Sequence, residues 1–139
     1  MSRMMFVNLP VADLGKSIEF FSQLGFAFNP QFTDETATCM LVGESSFVML
    51  LTDEKYLSFT PGLTLCDTGK SSEVLVCLSA ESREEVDTLL DQAVAAGGSP
   101  YREPQDHGFM YGRAFRDLDG HIWGTQRQYS RQRLPTDRM

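Results

Sequence analysis

The sequence predicts an α+β fold built from two βαβββ modules. Three observations carry that expectation. The order strand, helix, three strands occurs twice along 139 residues. Each helical stretch opens on a capping residue and closes on glycine. The strongest local signal in the chain, a β-hairpin, completes the second copy: two strand-rich runs, Met110 to Arg116 and His121 to Gln126, flank Asp117-Leu118-Asp119-Gly120. Asp119-Gly120 suits a tight connection because glycine, and aspartate better than most residues, tolerates positive φ. Alternation along the second run puts Ile122, Gly124 and Gln126 on one face and His121, Trp123 and Thr125 on the other. A side chain as large and apolar as Trp123 is expected against a helix, which turns Gly124 the opposite way.

Taken in order, Met4 to Val11 reads as a strand running into Pro10. Asp13 stands where an N-cap belongs, and Leu14, Ile18 and Phe21, widened by Phe20 and Leu24, recur at helical spacing until Gly25. Phe26 to Asn29 is a short strand stopped by Pro30. The polar link Thr33 to Thr36 leads to a strand over Ala37 to Val42, and Gly43-Glu-Ser-Ser46 turns the chain into Phe47 to Thr52. Asp53 to Ser72 is expected as a long connection without structure of its own, its Tyr56, Leu57 and Phe59 suggesting a lid or a partner contact. Glu73 to Leu78 is an apolar strand. Ser82 with Glu85 forms a capping box, and Val86, Leu89, Leu90, Ala93 and Val94 give the following helix an apolar stripe that ends at Gly97-Gly98. Ser99 to Glu103 is a short strand, Pro104 to Gly108 a turn-rich loop, and the hairpin follows. The expected organisation is one domain over 1–126, with module one at 4–52, the connection at 53–72, module two at 73–126 and a polar tail at 127–139.

Composition bounds the function. With 42% apolar and 22% charged residues the chain reads as a globular protein large enough for its own core. No apolar run approaches a membrane span, and Met-Ser-Arg-Met-Met lacks the apolar centre of a signal peptide, so a cytoplasmic location is expected, with no membrane partner. Cys39, Cys66 and Cys77 have no paired spacing and read as reduced thiols, Cys39 and Cys77 as core filler. A formal net charge of −7 disfavours a nucleic-acid partner. No Gly-rich phosphate loop, Ser-His-Asp order or nucleophilic cysteine signature is present.

In each module the helix covers one face of the sheet and leaves the other bare, so two modules together are expected to enclose a cavity, the default place for a ligand. The runs Phe6-Val-Asn-Leu-Pro-Val-Ala-Asp-Leu-Gly-Lys-Ser-Ile-Glu-Phe-Phe-Ser-Gln-Leu-Gly-Phe26 and Asp117-Leu-Asp-Gly-His-Ile-Trp123 resemble the vicinal oxygen chelate superfamily. It contains glyoxalase I, extradiol dioxygenases, and fosfomycin- and bleomycin-resistance proteins. The run Asp106-His-Gly-Phe-Met-Tyr-Gly-Arg113 resembles an uncharacterised glyoxalase-like subgroup. The resemblance implies an open, U-shaped mixed β-barrel with helices outside, in a homodimer. It also implies a divalent ion held by His or Glu side chains from strands of both modules. Carried across by motif, those ligand positions fall on Phe6, on Leu50, on Glu73 or Val74, and on Gly124. Of these residues only Glu73 has a side chain able to bind a metal.

The expected function is therefore that of a glyoxalase/bleomycin-resistance/dioxygenase-like protein lacking most of the usual metal ligands, which binds a small apolar or aromatic molecule. No cofactor is expected. Phe6, Asn8, Leu50, His107, Tyr111, Arg113, Ile122 and Gly124 are the candidate ligand-binding residues. Tyr111 and Arg113 share one strand face, which is either the cavity, where they would meet an anionic or carbonyl group, or a dimer or surface patch. The alternative is an enzyme of glyoxalase or dioxygenase type, using a displaced metal site that includes Glu73, or using His107, beside Asp106, as acid and base. His121 is expected in a surface or packing role, and Met40, Met49 and Met110 as core or cavity wall.

Overall fold

The computed structural model describes residues 3–128. The chain divides into two compact units, Met1–Ser71 and Ser72–Met139. In the first, strand β1 (Met5–Val11) is followed by helix α1 (Leu14–Gln23) and by strands β2 (Ala27–Asn29), β3 (Ala37–Leu41) and β4 (Ser46–Thr52). The sheet order is β1-β4-β3-β2, with β1 and β4 parallel and the other pairs antiparallel. In the second unit, strand β5 (Leu75–Ala80) is followed by helix α3 (Arg83–Ala95) and by strands β6 (Ser99–Asp106), β7 (Met110–Arg116) and β8 (Ile122–Gln128). Its order, β5-β8-β7-β6, repeats that of the first sheet. The fold is the expected α+β arrangement of two βαβββ modules, each with a four-stranded mixed sheet that does not close into a barrel. No helix of the described residues is long and apolar enough to cross a membrane.

Both long helices begin and end as their capping residues dictate. Asp13 accepts from the Lys16 amide and Ser82 from the Glu85 amide, each at 3.1 Å. Gly25 and Gly97 take the left-handed conformation just past the helix ends, at φ 97° and 113°. Helix α1 buries Leu14, Phe20 and Phe21 and packs on β3 and β4. Helix α3 buries Val86, Leu90 and Ala93 and packs on β7 and β8, where Trp123 is fully buried beside Phe115.

Three segments differ from expectation. The connection after β4 is not structureless at its start: Asp53–Ser58 is a short helix, α2, which lies against β1 and β4. Thr52 caps it by accepting from the Lys55 amide at 3.3 Å, and Asp53 and Glu54 occupy its positively polarised first turn. Strand β6 runs on to Asp106, through a register break between Tyr101 and Gln105 where Arg102 sits at φ 55°. As an edge strand it accommodates Pro100 and Pro104, whose missing donors would break an interior ladder. Cys77 is exposed rather than core, because it lies on β5, at the sheet edge, on the face away from α3; Cys39 is buried. Burial pushes the Cys39 thiol pKa up. The tail expected from 127 onward falls, beyond Gln128, outside the described residues.

The β7–β8 hairpin is held by the Asp117 side chain, which is almost fully buried. Its Oδ1 accepts from the amides of Asp119 at 2.9 Å and His121 at 3.0 Å, and its Oδ2 accepts from Trp123 Nε1 at 2.9 Å. Gly120 completes the turn at φ 83°. Burial pushes the carboxyl pKa up, while His121, the Trp123 indole and the two amides pull it the other way. Removing this acceptor leaves three donors without it, two of them beside buried residues. Asp117→Ala is therefore expected to cost roughly 3 kcal/mol in urea-induced unfolding. A loss below about 1 kcal/mol would show that the carboxylate does not hold the hairpin.

Candidate functional site

Strand pairing sorts every strand residue onto one of two faces. In the first sheet, Phe6 pairs with Phe47, Asn8 with Met49 and Pro10 with Leu51; Leu41, Cys39 and Ala37 continue the same rows. On this face Phe6 and Leu41 are exposed, while Pro10, Cys39 and Leu51 are buried. Phe6 is 48% exposed, and its ring stacks on Phe47 at 4.9 Å between centroids and 17° between planes. The other face holds Leu9, Val11, Met40, Val48 and Leu50, all buried, and is the face that α1 covers. Leu50 thus lies opposite Phe6, and the position that shares the Phe6 face is its neighbour Met49. Asn8 stays on the Phe6 face and donates from Nδ2 to the Phe6 carbonyl at 3.3 Å.

In the second sheet, Leu75, Ile122 and Arg116 form one row, and Cys77, Gly124, Ala114 and Tyr101 the next, on the face away from α3. Ile122 and Gly124 stand together there, as the alternation predicts. A Cβ at position 124 would come within 3.0 Å of Cys77 Sγ, so glycine at 124 lets the two strands carry Cys77 without a clash.

Tyr111 and Arg113 lie on the opposite face, toward α3. The Tyr111 hydroxyl donates to Asp87 Oδ1 at 2.6 Å and Arg113 Nη1 to the same oxygen at 3.1 Å. Both donors hold the Asp87 carboxyl below its usual pKa, the Tyr111 hydrogen bond most, and that carboxylate in turn raises the Tyr111 phenol. Arg83 of α3 lies over the Tyr111 ring at 4.1 Å and forms an ion pair with Asp106. Of the two faces left open for Tyr111 and Arg113, they occupy the helix side, as ties between strand and helix.

His107 is exposed at the β6–β7 turn, where its ring stacks on Phe109. Its neighbour Asp106 does not turn toward it: the carboxylate takes Arg83 and the Gly108 amide, which together hold its pKa down at about 2. Glu73 precedes β5 and bonds through Oε1 to Nδ1 of buried His121 at 2.7 Å. The expected packing role of His121 is thus explicit, and Glu73 is its partner.

The internal repeat locates the positions equivalent to one another. Phe6 stands seven residues before the cap Asp13, and Leu75 seven before the cap Ser82. Phe6 pairs with Phe47, and two residues further on is Met49; Leu75 pairs with Ile122, and two further on is Gly124. Phe6, Met49, Leu75 and Gly124 therefore form the symmetric set. Among the described residues no group of three or more His, Cys, Asp or Glu side chains is placed to hold a metal ion.

Two four-stranded βαβββ sheets with this order define a protein of glyoxalase fold. The model for the bleomycin resistance protein-like N-terminal family matches residues 3–43. The hypothetical protein SA1046 from S. aureus is 31% identical, with a TM-score of 0.77 over 91% of this chain and 94% of that one. A glyoxalase/bleomycin resistance protein/dioxygenase family enzyme from Burkholderia phytofirmans PsJN has the same fold, at 17% identity and a TM-score of 0.76 over 91% of this chain and 99% of that one. A glyoxalase-related enzyme from Fulvimarina pelagi also shares it, at 19% identity and a TM-score of 0.76 over 92% and 89% of the two chains. No curated protein matches the chain significantly. The fold is thus that of the glyoxalase/bleomycin resistance/dioxygenase proteins, and over residues 3–43 the sequence also matches the bleomycin resistance protein-like N-terminal model.

The divalent ion of the superfamily's metalloenzymes does not fit the residues found here. Phe6, Leu75 and Gly124 have no side-chain donor, Met49 offers only a soft thioether, and the Glu73 carboxylate is engaged by His121.

Proposed function

We propose that this protein binds a small apolar or aromatic molecule on the sheet face that carries Phe6, without a metal ion, and that it does so as a cytoplasmic homodimer. One observation carries the reading: the symmetric positions Phe6, Met49, Leu75 and Gly124 are apolar, so the first sheet presents a stacked aromatic pair where a chelating member of the superfamily would present ligands. Binding to such a face is driven by burial of apolar area, about 25 cal/mol per Å², with an added gain from offset aromatic contact. Met49 adapts to the shape of the bound molecule, and Asn8 supplies a polar group beside it. Large apolar side chains elsewhere on the surface, Met4, Met5, Phe59 and Leu63 among them, are each at least 60% exposed and would supply apolar area to a subunit contact. Sedimentation equilibrium is expected to return twice the chain mass; a monomer at micromolar concentration would rule out the dimer.

The neutral fluorophore N-phenyl-1-naphthylamine tests the binding face. Saturable binding is expected, weakened roughly tenfold by Phe47→Ala or Phe6→Ala with the circular dichroism spectrum unchanged. Absence of saturation, or equal affinity in all three proteins, would contradict an aromatic-binding face.

A further inference from the structure

We infer that Arg116 is an anion anchor on the helix-free face of the second sheet, and that the molecule it receives is a carboxylate with an apolar or aromatic body. Arg116 follows Phe115, whose side chain is buried on the α3 face, so the arginine projects from the other side, in the row of Leu75 and Ile122. Its guanidinium lies over the Tyr101 ring at 5.0 Å, which fixes the group without neutralising it. Two other arginines of this unit are paired, Arg83 with Asp106 and Arg113 with Asp87. Arg116 makes no ion pair among the described residues, although the chain as a whole carries a net charge of −7. Its Nε is shielded from solvent and has no acceptor. The nearest carboxylate in sequence, Asp117, is spent on the hairpin amides and the Trp123 indole.

A guanidinium held this way is short of an acceptor, and a buried donor without a partner calls for one. The surface beside it sets the rest of the ligand's description. Ile122 in the row of Arg116, and Ala114, Gly112 and Gly124 in the adjoining rows, are buried, with Cys77 Sγ and Gln126 set over the two glycines; Leu75, 58% exposed, is the accessible apolar side chain in the row of Arg116. A planar carboxylate matches the guanidinium fork, and a ring or short aliphatic body would lie along the row toward exposed Leu75. The inference rests on the proposed function only in treating a helix-free sheet face as a ligand face; it adds a charge to the ligand class.

The test is a titration of the ¹⁵N-labelled full chain with benzoate, benzamide and acetate, following the Arg116 Nε–Hε resonance and the Ala114 and Gly124 amides. Benzoate is expected to shift all three saturably. Benzamide, which lacks the charge, and acetate, which lacks the ring, are expected to bind at least about tenfold more weakly. Arg116→Gln should lower benzoate to the affinity of benzamide, and Arg116→Lys, which keeps the charge without the fork, should restore part of the difference. A structural arginine would not alter that ratio. Equal affinity for benzoate and benzamide, a preference that survives Arg116→Gln, or no shift at these three resonances would overturn the inference. Binding of the neutral naphthylamine would stand or fall separately.

Discussion

The buried carboxylate of Asp117 fixes the part of the chain from which the second module is read. It accepts from two turn amides and from the Trp123 indole, and so locks both the turn and the rotation of the strand that leaves it. In a strand, a slip of one residue exchanges the two faces completely. With Trp123 bound to Asp117 and buried on the α3 side, Ile122 and Gly124 have only the other side to occupy. The Glu73–His121 bond then ties the start of this strand to the segment entering β5, the parallel neighbour of β8. Burying a carboxylate is costly, and three donors at 2.9 to 3.0 Å offset that cost.

The same parity argument governs the first module, where it separates fold from chemistry. The strand order is that of the glyoxalase fold, and the four positions related by the internal repeat carry Phe6, Met49, Leu75 and Gly124. The largest buried side chains lie on the opposite faces, around Leu9, Val48 and Leu50 in one unit and Phe115 and Trp123 in the other. One fold can host unrelated functions.

Much of this was legible because it is local. Asp13, Ser82, Gly25, Gly97 and Asp119-Gly120 each act within a few residues of themselves, and the structure uses them as their chemistry predicts. The β4 register was not legible: a continuous apolar run, Phe47 to Leu51, shows no alternation, so Leu50 and Met49 cannot be told apart without the partner strand. Helix α2 was obscured by its brevity, although Thr52-Asp53-Glu54 is a capping signal. The engagement of Tyr111 and Arg113 by Asp87 joins residues 24 and 26 positions apart, which no spacing rule connects. Arg116 was missed as a site residue for a different reason: beside Asp117 it reads as a turn-flanking charge, and only the unmet hydrogen-bonding capacity of its guanidinium sets it apart.

The most direct measurement is a calorimetric titration of carefully stripped protein with Ni²⁺, Co²⁺, Mn²⁺, Fe²⁺ and Zn²⁺, with the melting temperature followed in parallel. A ligand selective for the folded state must stabilise it. Apolar residues at the four symmetric positions predict no binding of one ion per subunit and no rise in melting temperature. Tight, stoichiometric binding of any of these ions, with stabilisation to match, would contradict the account and return Glu73 and the two histidines to consideration as ligands.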